Sequence, residues 1–361
     1  MASRRLLTRY VLLSACIISI ITKTFSRVEA PNDALTVLPK YKVNLDLSPE
    51  TRWPSVVSNF QYVDSYIRAI IETYVPKALM PLVEKIGAAI DNYLKQPYAG
   101  ELRGIAQALN CSLGDVVIAN LIYDISAFCT SIVSQDDQGQ IWHSRNLDYN
   151  FGDMLRNLTI HVEFVSKGKT VYSAITYAGY IGILSGQKPK AFSITVNQRS
   201  EGFILENILL ALLDRKAVPT TFLVRDILAN EPDFESAISR LSTTDTVAPV
   251  YFIIAGMNPG QGAVITKSRL ETVDIWRLDP THGRWFVLET NYDHWTTPPP
   301  WDDRRDAAIK AMNRLGQHNI TVASLLDVMS VEPVLNSHTT YTVIMCPAHP
   351  DLMQAWIRYC C

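Results

Sequence analysis

The chain has 361 residues, 48% of them hydrophobic and 19% charged, enough to bury a sizeable core and unlike a disordered composition. A formal net charge of -2 excludes the strongly basic balance that nucleic-acid binding requires. Six cysteines are too few for a disulfide framework.

Residues 1–30 read as a secretory signal peptide. Arg4, Arg5 and Arg9 form the positive start. Tyr10–Ile21 is apolar but too short to span a bilayer, and Val28–Ala30 offers a cleavage site before Pro31. Cys16 leaves with this segment. Cys111, Cys129, Cys346, Cys360 and Cys361 stay behind, an odd set that predicts a free, reactive thiol. The adjacent Cys360 and Cys361 are not expected to bond each other. Sequons at Asn110, Asn157 and Asn319 predict glycans on exposed loops.

Residues 53–127 read as helical. Apolar spacing predicts one helix over Trp53–Tyr74 and another from Pro76, with a third N-capped by Ser112. The texture changes at Cys129. "TSIVSQ", a "DDQG" turn and "QIWHSRN" predict a hairpin; "LTIHVEFV", "SKGK" and "TVYSAITYAG" predict a second. "AFSITVNQ" is a further strand, and two or three helices fill Phe203–Leu241. Strands resume at "PVYFIIAG", "GAVITKS", "VDIWRLD" and "RWFVLETNY". Helices follow at Asp302–Leu315 and Val322–Val328, then a strand at "TTYTVIMC". Strands clustered in runs, with helices clustered between, argue an α+β fold with layered sheets. No metal-ligand spacing and no phosphate-binding loop is present, so no metal and no cofactor are predicted.

Taken alone, Cys129 reads as a small buried apolar residue. Its surroundings shift that reading. Thr130 and Ser131 place hydroxyls beside it, and Arg145 sits across the predicted hairpin, close enough to favour a thiolate. Asp148 is placed to hold Arg145 or an amine. A papain-like pair with His143, His282 or His294 is disfavoured, because Cys129 starts a strand rather than a helix and lacks that surround.

The stretches "CTSIV", "HSRNLDY", "YAGYIGILSGQKP" and "ETNYDHW…DDRR" resemble the N-terminal-nucleophile cysteine amidases of lysosomes. The resemblance implies an αββα sandwich and a proenzyme cut between Phe128 and Cys129. One precursor would yield a helical α subunit (31–128) and a catalytic β subunit (129–361). Cys129 would be the nucleophile and its new α-amine the base, a balanced pair because a thiol and an α-amine titrate within about one unit of each other. Asp148 would orient the amine, Arg145 support the thiolate, Asn291 donate to the oxyanion and Arg304 complete the polar network. Tyr149 and Gln198 would contact substrate.

Gln198 departs from the family, which carries glutamate there. Ser144 stands for the usual glycine and Leu184 for an aromatic beside the acyl pocket. The implied reaction is hydrolysis of N-acylethanolamines such as palmitoylethanolamide, in the lysosome and reached through the secretory pathway. The alternatives are ceramide hydrolysis and a non-catalytic lipid-binding or transfer protein. "YAGYIGILSG" and "GFILENILLALL" would suit an acyl tunnel and a peripheral membrane-touching face. No nucleic-acid partner is expected.

Overall fold

In a computed structural model of the chain, residues 34–89, 92, 94–122, 127–199 and 217–360 are described. The signal segment, "GFILENILLALL" and Cys361 lie outside them.

Two short strands come first, β1 (Ala34–Val37) and β2 (Lys40–Asn44). Five helices follow: α1 (Pro54–Val57), α2 (Val63–Tyr74), α3 (Met80–Ala88), α4 (Tyr98–Leu109) and α5 (Leu113–Ile122). The single helix expected over Trp53–Tyr74 is broken between Val57 and Val63, and α3 starts only at Met80, after a short 3-10 turn. Then come β3 (Ala127–Gln135), β4 (Ile141–Tyr149), α6 (Gly152–Leu158), β5 (Thr159–Ser166), β6 (Lys169–Tyr177), β7 (Ser185–Lys188) and β8 (Phe192–Gln198). Beyond these lie α7 (Thr220–Asn230), α8 (Phe234–Thr243), β9 (Val250–Ala255), β10 (Gly262–Lys267), β11 (Thr272–Arg277) and β12 (Phe286–Glu289). The chain closes with α9 (Arg304–Leu315), α10 (Val322–Val328), β13 (Thr339–Met345) and β14 (Gln354–Tyr359).

The turns explain both hairpins. Asp136 Oδ1 accepts the backbone N–H groups of Gln138 and Gln140 at 3.0 and 2.8 Å, and Gly139 supplies a φ of 87°. Lys167 and Gly168, at φ 50° and 74°, turn β5 into β6.

The strands form two sheets. One has the order β1-β14-β13-β4-β3-β12, the other β11-β10-β9-β8-β7-β6-β5-β2. Every pairing is antiparallel except β2 with β5. The sheets face each other. Helices α9 and α10 cover the outside of the six-stranded sheet through Met312, Ala308, Leu325 and Val328 against Ile132, Leu288 and Ile344. Helices α7 and α8 bring Phe222, Ile227 and Leu241 into the main core with Phe164, Ile194 and Ile254, which α1–α5 join through Trp53, Ile67, Leu102 and Val117. The result is the layered αββα sandwich expected of the sequence.

Residues before Cys129 are woven into both sheets. β1 lies along β14 and β2 along β5, each as an edge strand. A buried ion pair ties the same region to α7. Glu101 on α4 accepts two hydrogen bonds from Arg225, at 2.6 and 2.7 Å, with further bonds from the Trp53 indole at 2.7 Å and Arg52 at 3.0 Å. A fully bonded buried pair of this kind is weak evidence for net stability, but removing one member strands a charge at about 3–5 kcal/mol.

Among the described residues Cys111, Cys129 and Cys346 are free and Cys360 is disulfide-bonded. Asn110, Asn157 and Asn319 are all exposed. Asn157 sits on helix α6 rather than on the loop expected for it. No helix among the described residues is long and apolar enough to cross a membrane.

Candidate active site

Cys129 is fully buried between the sheets. It is the third residue of β3, because the ladder to β4 runs on through Phe128↔Asp148 and Ala127↔Tyr149. The expectation that the cysteine heads its strand is therefore corrected for the intact chain.

In register, Cys129 opposes Leu147, and Arg145 opposes Ser131. Arg145 is thus the diagonal neighbour of Cys129 on the same face. Its Nη2 lies 2.9 Å from Cys129 Sγ and 2.6 Å from the Val196 carbonyl on β8. Its Nη1 donates to the Leu184 carbonyl and Ser185 Oγ, both at 2.7 Å, and to Tyr341 Oη at 3.3 Å. The guanidinium is therefore clamped between the sheets and aimed at the sulfur. Burial pushes the Cys129 thiol up, and Arg145 offsets part of that rise.

Two further groups grip the main chain of Cys129. Asn291 Oδ1 accepts its N–H at 2.8 Å, and Arg304 Nη1 donates to its carbonyl at 3.0 Å. Arg304 Nη2 also donates to Asn291 Oδ1 at 3.0 Å, while Asn291 Nδ2 donates to the Gln198 carbonyl at 2.8 Å. The donors and acceptors around Asn291 leave its carboxamide one consistent orientation. Arg304 is the first residue of α9 and is held by Asp302, whose Oδ1 accepts its Nε at 2.8 Å.

Asp148 completes the cluster on the other side. Thr339 Oγ1 donates to it at 2.7 Å, Asn336 Nδ2 at 3.1 Å and Arg304 Nη1 at 3.4 Å. Burial pushes its carboxyl above the usual range against the pull of Arg304 and those two donors. Because Asp148 opposes Phe128 in the ladder, its side chain takes the face opposite the Cys129 thiol; Asn291, not Asp148, holds the Cys129 nitrogen in the intact chain.

The structure thus brings Cys129, Arg145, Asp148, Asn291 and Arg304 together. Phe128 is partly exposed, with the Arg304 guanidinium 5.7 Å from its ring centre. Gln198 enters through its backbone carbonyl. Tyr149 is buried in the main core with its ring 6.3 Å from that of Phe151. Sequence reasoning missed Asp302, Asn336 and Thr339. Only Asp302 carried a signal, its spacing of two from Arg304; Asn336 and Thr339 reach Asp148 across long sequence separations. Among the described residues no three His, Cys, Asp or Glu side chains form a metal-ligand cluster.

Residues 129–317 match the family described as linear amide C–N hydrolases, choloylglycine hydrolase family. The chain belongs to that family. The match starts at Cys129 itself. Residues 36–94 match the beta subunit of N-acylethanolamine-hydrolyzing acid amidase, a label opposite in letter to the subunit naming used above. The N-acylethanolamine-hydrolyzing acid amidase of Rattus norvegicus is 43% identical over 89% of each chain. The acid ceramidase of Homo sapiens is 36% identical over 85% of this chain and 83% of the relative. Among solved structures, the Caenorhabditis elegans N-acylethanolamine-hydrolyzing acid amidase ortholog is 38% identical and aligns over 63% of this chain and 99% of its own, with a TM-score of 0.59. As a member of the family, the chain is an amide hydrolase.

Proposed function

We propose that this hydrolase cuts itself between Phe128 and Cys129 and then hydrolyses N-acylethanolamines such as palmitoylethanolamide to fatty acid and ethanolamine. The observation that carries this is the grip on a single residue: Arg145 on the Cys129 sulfur, Asn291 on its nitrogen and Arg304 on its carbonyl. Neighbouring groups that converge on both backbone atoms and the thiol are suited to reaction at the bond that residue makes.

In maturation, the Cys129 sulfur attacks the Phe128 carbonyl carbon. The thiol proton passes to the departing Cys129 nitrogen, which becomes an α-amine as the thioester forms. Water opens the thioester and regenerates the thiol. In turnover, that amine takes the thiol proton, Arg145 steadies the thiolate, and sulfur attacks the substrate carbonyl. The oxyanion needs a donor, and Asn291 Nδ2 supplies one on exchanging its bond to the Gln198 carbonyl. Ethanolamine leaves with the proton held by the amine, and water completes the cycle. The segments 31–128 and 129–361 stay together as two subunits. The sequence of residues 1–30 supports entry to the secretory pathway, an acid amidase suits the lysosome as its destination, and a peripheral contact with lipid surfaces fits the substrate class.

A second reading, ceramide hydrolysis, is favoured by the acid ceramidase relatives alone. Acid-incubated protein analysed by mass spectrometry should yield a chain beginning Cys-Thr-Ser-Ile, and C129A should stay intact. The matured protein should then turn over palmitoylethanolamide faster than ceramide; the reverse order would transfer the assignment to the second reading.

A further inference from the structure

Glu289, the last residue of β12, is fully buried two positions before Asn291 and takes no part in the steps above. Its Oε1 accepts the Thr290 N–H at 2.9 Å. Its Oε2 is buried without a hydrogen-bond partner.

The backbone of the same segment is pinned from the facing sheet. Asn197 Nδ2 donates to the carbonyls of Glu289 and Thr290, at 2.9 and 3.0 Å. Asn197 Oδ1 accepts from Ser131 Oγ at 2.9 Å, and Ser131 opposes Glu289 in the β3–β12 ladder. From Thr290 the chain passes to Asn291, whose Oδ1 returns to β3 at the Cys129 N–H. A closed circuit therefore runs from β3 to β8, to the end of β12, and back to β3 at the nucleophile.

We infer that Glu289 is a positioning residue: its uncharged carboxyl clamps the Thr290 N–H and holds the end of β12 in the geometry that sets Asn291 on Cys129. The uncharged form follows from the geometry. An ionised oxygen buried with no donor is far costlier than a neutral one. The charged and titratable groups facing Glu289 are Arg305 on α9, Arg199 just past β8, Asp293 beyond β12 and the Tyr251 phenol on β9. Arg199 pairs bidentately with Asp293, at 2.8 and 2.9 Å, and Tyr251 donates to the same carboxylate at 2.7 Å. Burial accordingly pushes the Glu289 carboxyl up to about 8, against the Thr290 bond and the two arginines. Across the acid range it stays protonated. At alkaline pH a new charge appears behind Asn291 and beside Asp293, and the clamp loosens.

The proposal rests on the reading of Cys129 as nucleophile and is tested on matured enzyme with palmitoylethanolamide. E289A removes the clamp and should lower kcat at about pH 5 by roughly tenfold or more, with KM changed less than about twofold. E289Q keeps the clamp without the titration. It should rescue acid turnover and outperform wild type by roughly fivefold at about pH 9. A wild-type kcat for E289A, or a ratio of E289Q to wild type that is flat with pH, would overturn the inference. If E289A does not fold, the E289Q profile decides alone. C129A reports separately: turnover by that variant would sink the nucleophile reading whatever Glu289 does.

Discussion

Asn291 Oδ1 accepts the Cys129 backbone N–H at 2.8 Å, across 162 positions of sequence. In the intact chain that nitrogen is an amide and cannot act as a base. Once the preceding bond is cut, the same contact holds an α-amine beside its own thiol. Asn291→Ala should lower kcat in matured protein by roughly 10²–10³ with a smaller effect on KM. Cleavage should slow as well, so the two rates are followed separately by mass spectrometry and by fatty-acid release. Unchanged turnover in fully processed N291A protein would remove Asn291 from the chemistry.

The Glu101–Arg225 pair spans the proposed cut. Burial pushes the Glu101 carboxyl up, but the Arg225 charge and hydrogen bonds more than offset this and hold it below the usual glutamate range. A lowered folded value means that the stabilisation is present above the ordinary glutamate range and is lost only as pH falls through the lower folded value. The two segments should therefore stay associated through mildly acid conditions. Arg225→Met leaves the buried Glu101 carboxylate with Arg52 as its remaining cation, a loss of up to about 3–5 kcal/mol. Size-exclusion chromatography of processed R225M at acid pH should show separation or aggregation where wild type shows one species.

Gln198 cannot titrate, and its carbonyl receives the Asn291 carboxamide. If a glutamate at this position sets the acid optimum in relatives, Gln198→Glu should narrow the pH–rate profile or move one edge of it. The comparison uses pre-matured protein, so that cleavage and turnover are not mixed. Superimposable curves would assign the position to main-chain support alone.

Glu289 also bears on stability. Its folded value, about 8, lies above the ordinary glutamate range, so the folded state binds the proton more tightly than the unfolded chain. The stabilisation is complete below that ordinary range and is lost as pH rises toward about 8. Thermal unfolding should show wild type losing on the order of a few kcal/mol over that interval, with E289Q losing less. Equal losses in the two proteins would place the carboxyl's charge elsewhere.

The hairpin β3–β4 was legible because its signals are local: alternating apolar residues, a "DDQG" turn and two strands of matching length. Helix α10 was legible for the same reason, with the Thr321–Ser324 capping box at its start. β1 and β2 were not, since each is short and pairs with a partner far along the chain. "RWFVLETNY" was read too long, because only Phe286–Glu289 pairs with β3 before the segment turns away to deliver Asn291. Cys129, Arg145, Asp148, Asn291 and Arg304 could be named from motifs, but the division of labour among them could not. Which face of β4 carries Asp148 depends on a register with Phe128, upstream of the residues that read as strand. Glu289 and Glu101 gave no signal at all: an acid's burial depends on what the rest of the fold stacks over it.

β1 and β2 each complete one edge of a sheet, and both precede Cys129. While the chain is whole, those strands find their edges intramolecularly, at the high effective concentration a tether confers. Cutting at Phe128–Cys129 would leave the native packing in place but turn the same search into an encounter between two molecules. Folding would then be reversible only before maturation. Heat-unfolded precursor should refold in dilute solution, whereas the processed enzyme should recover in proportion to its concentration, and with two bare sheet edges competing for one another in the meantime. Maturation would thus fix the molecule's lifetime as well as switch on its chemistry, because each unfolding event after the cut is close to final.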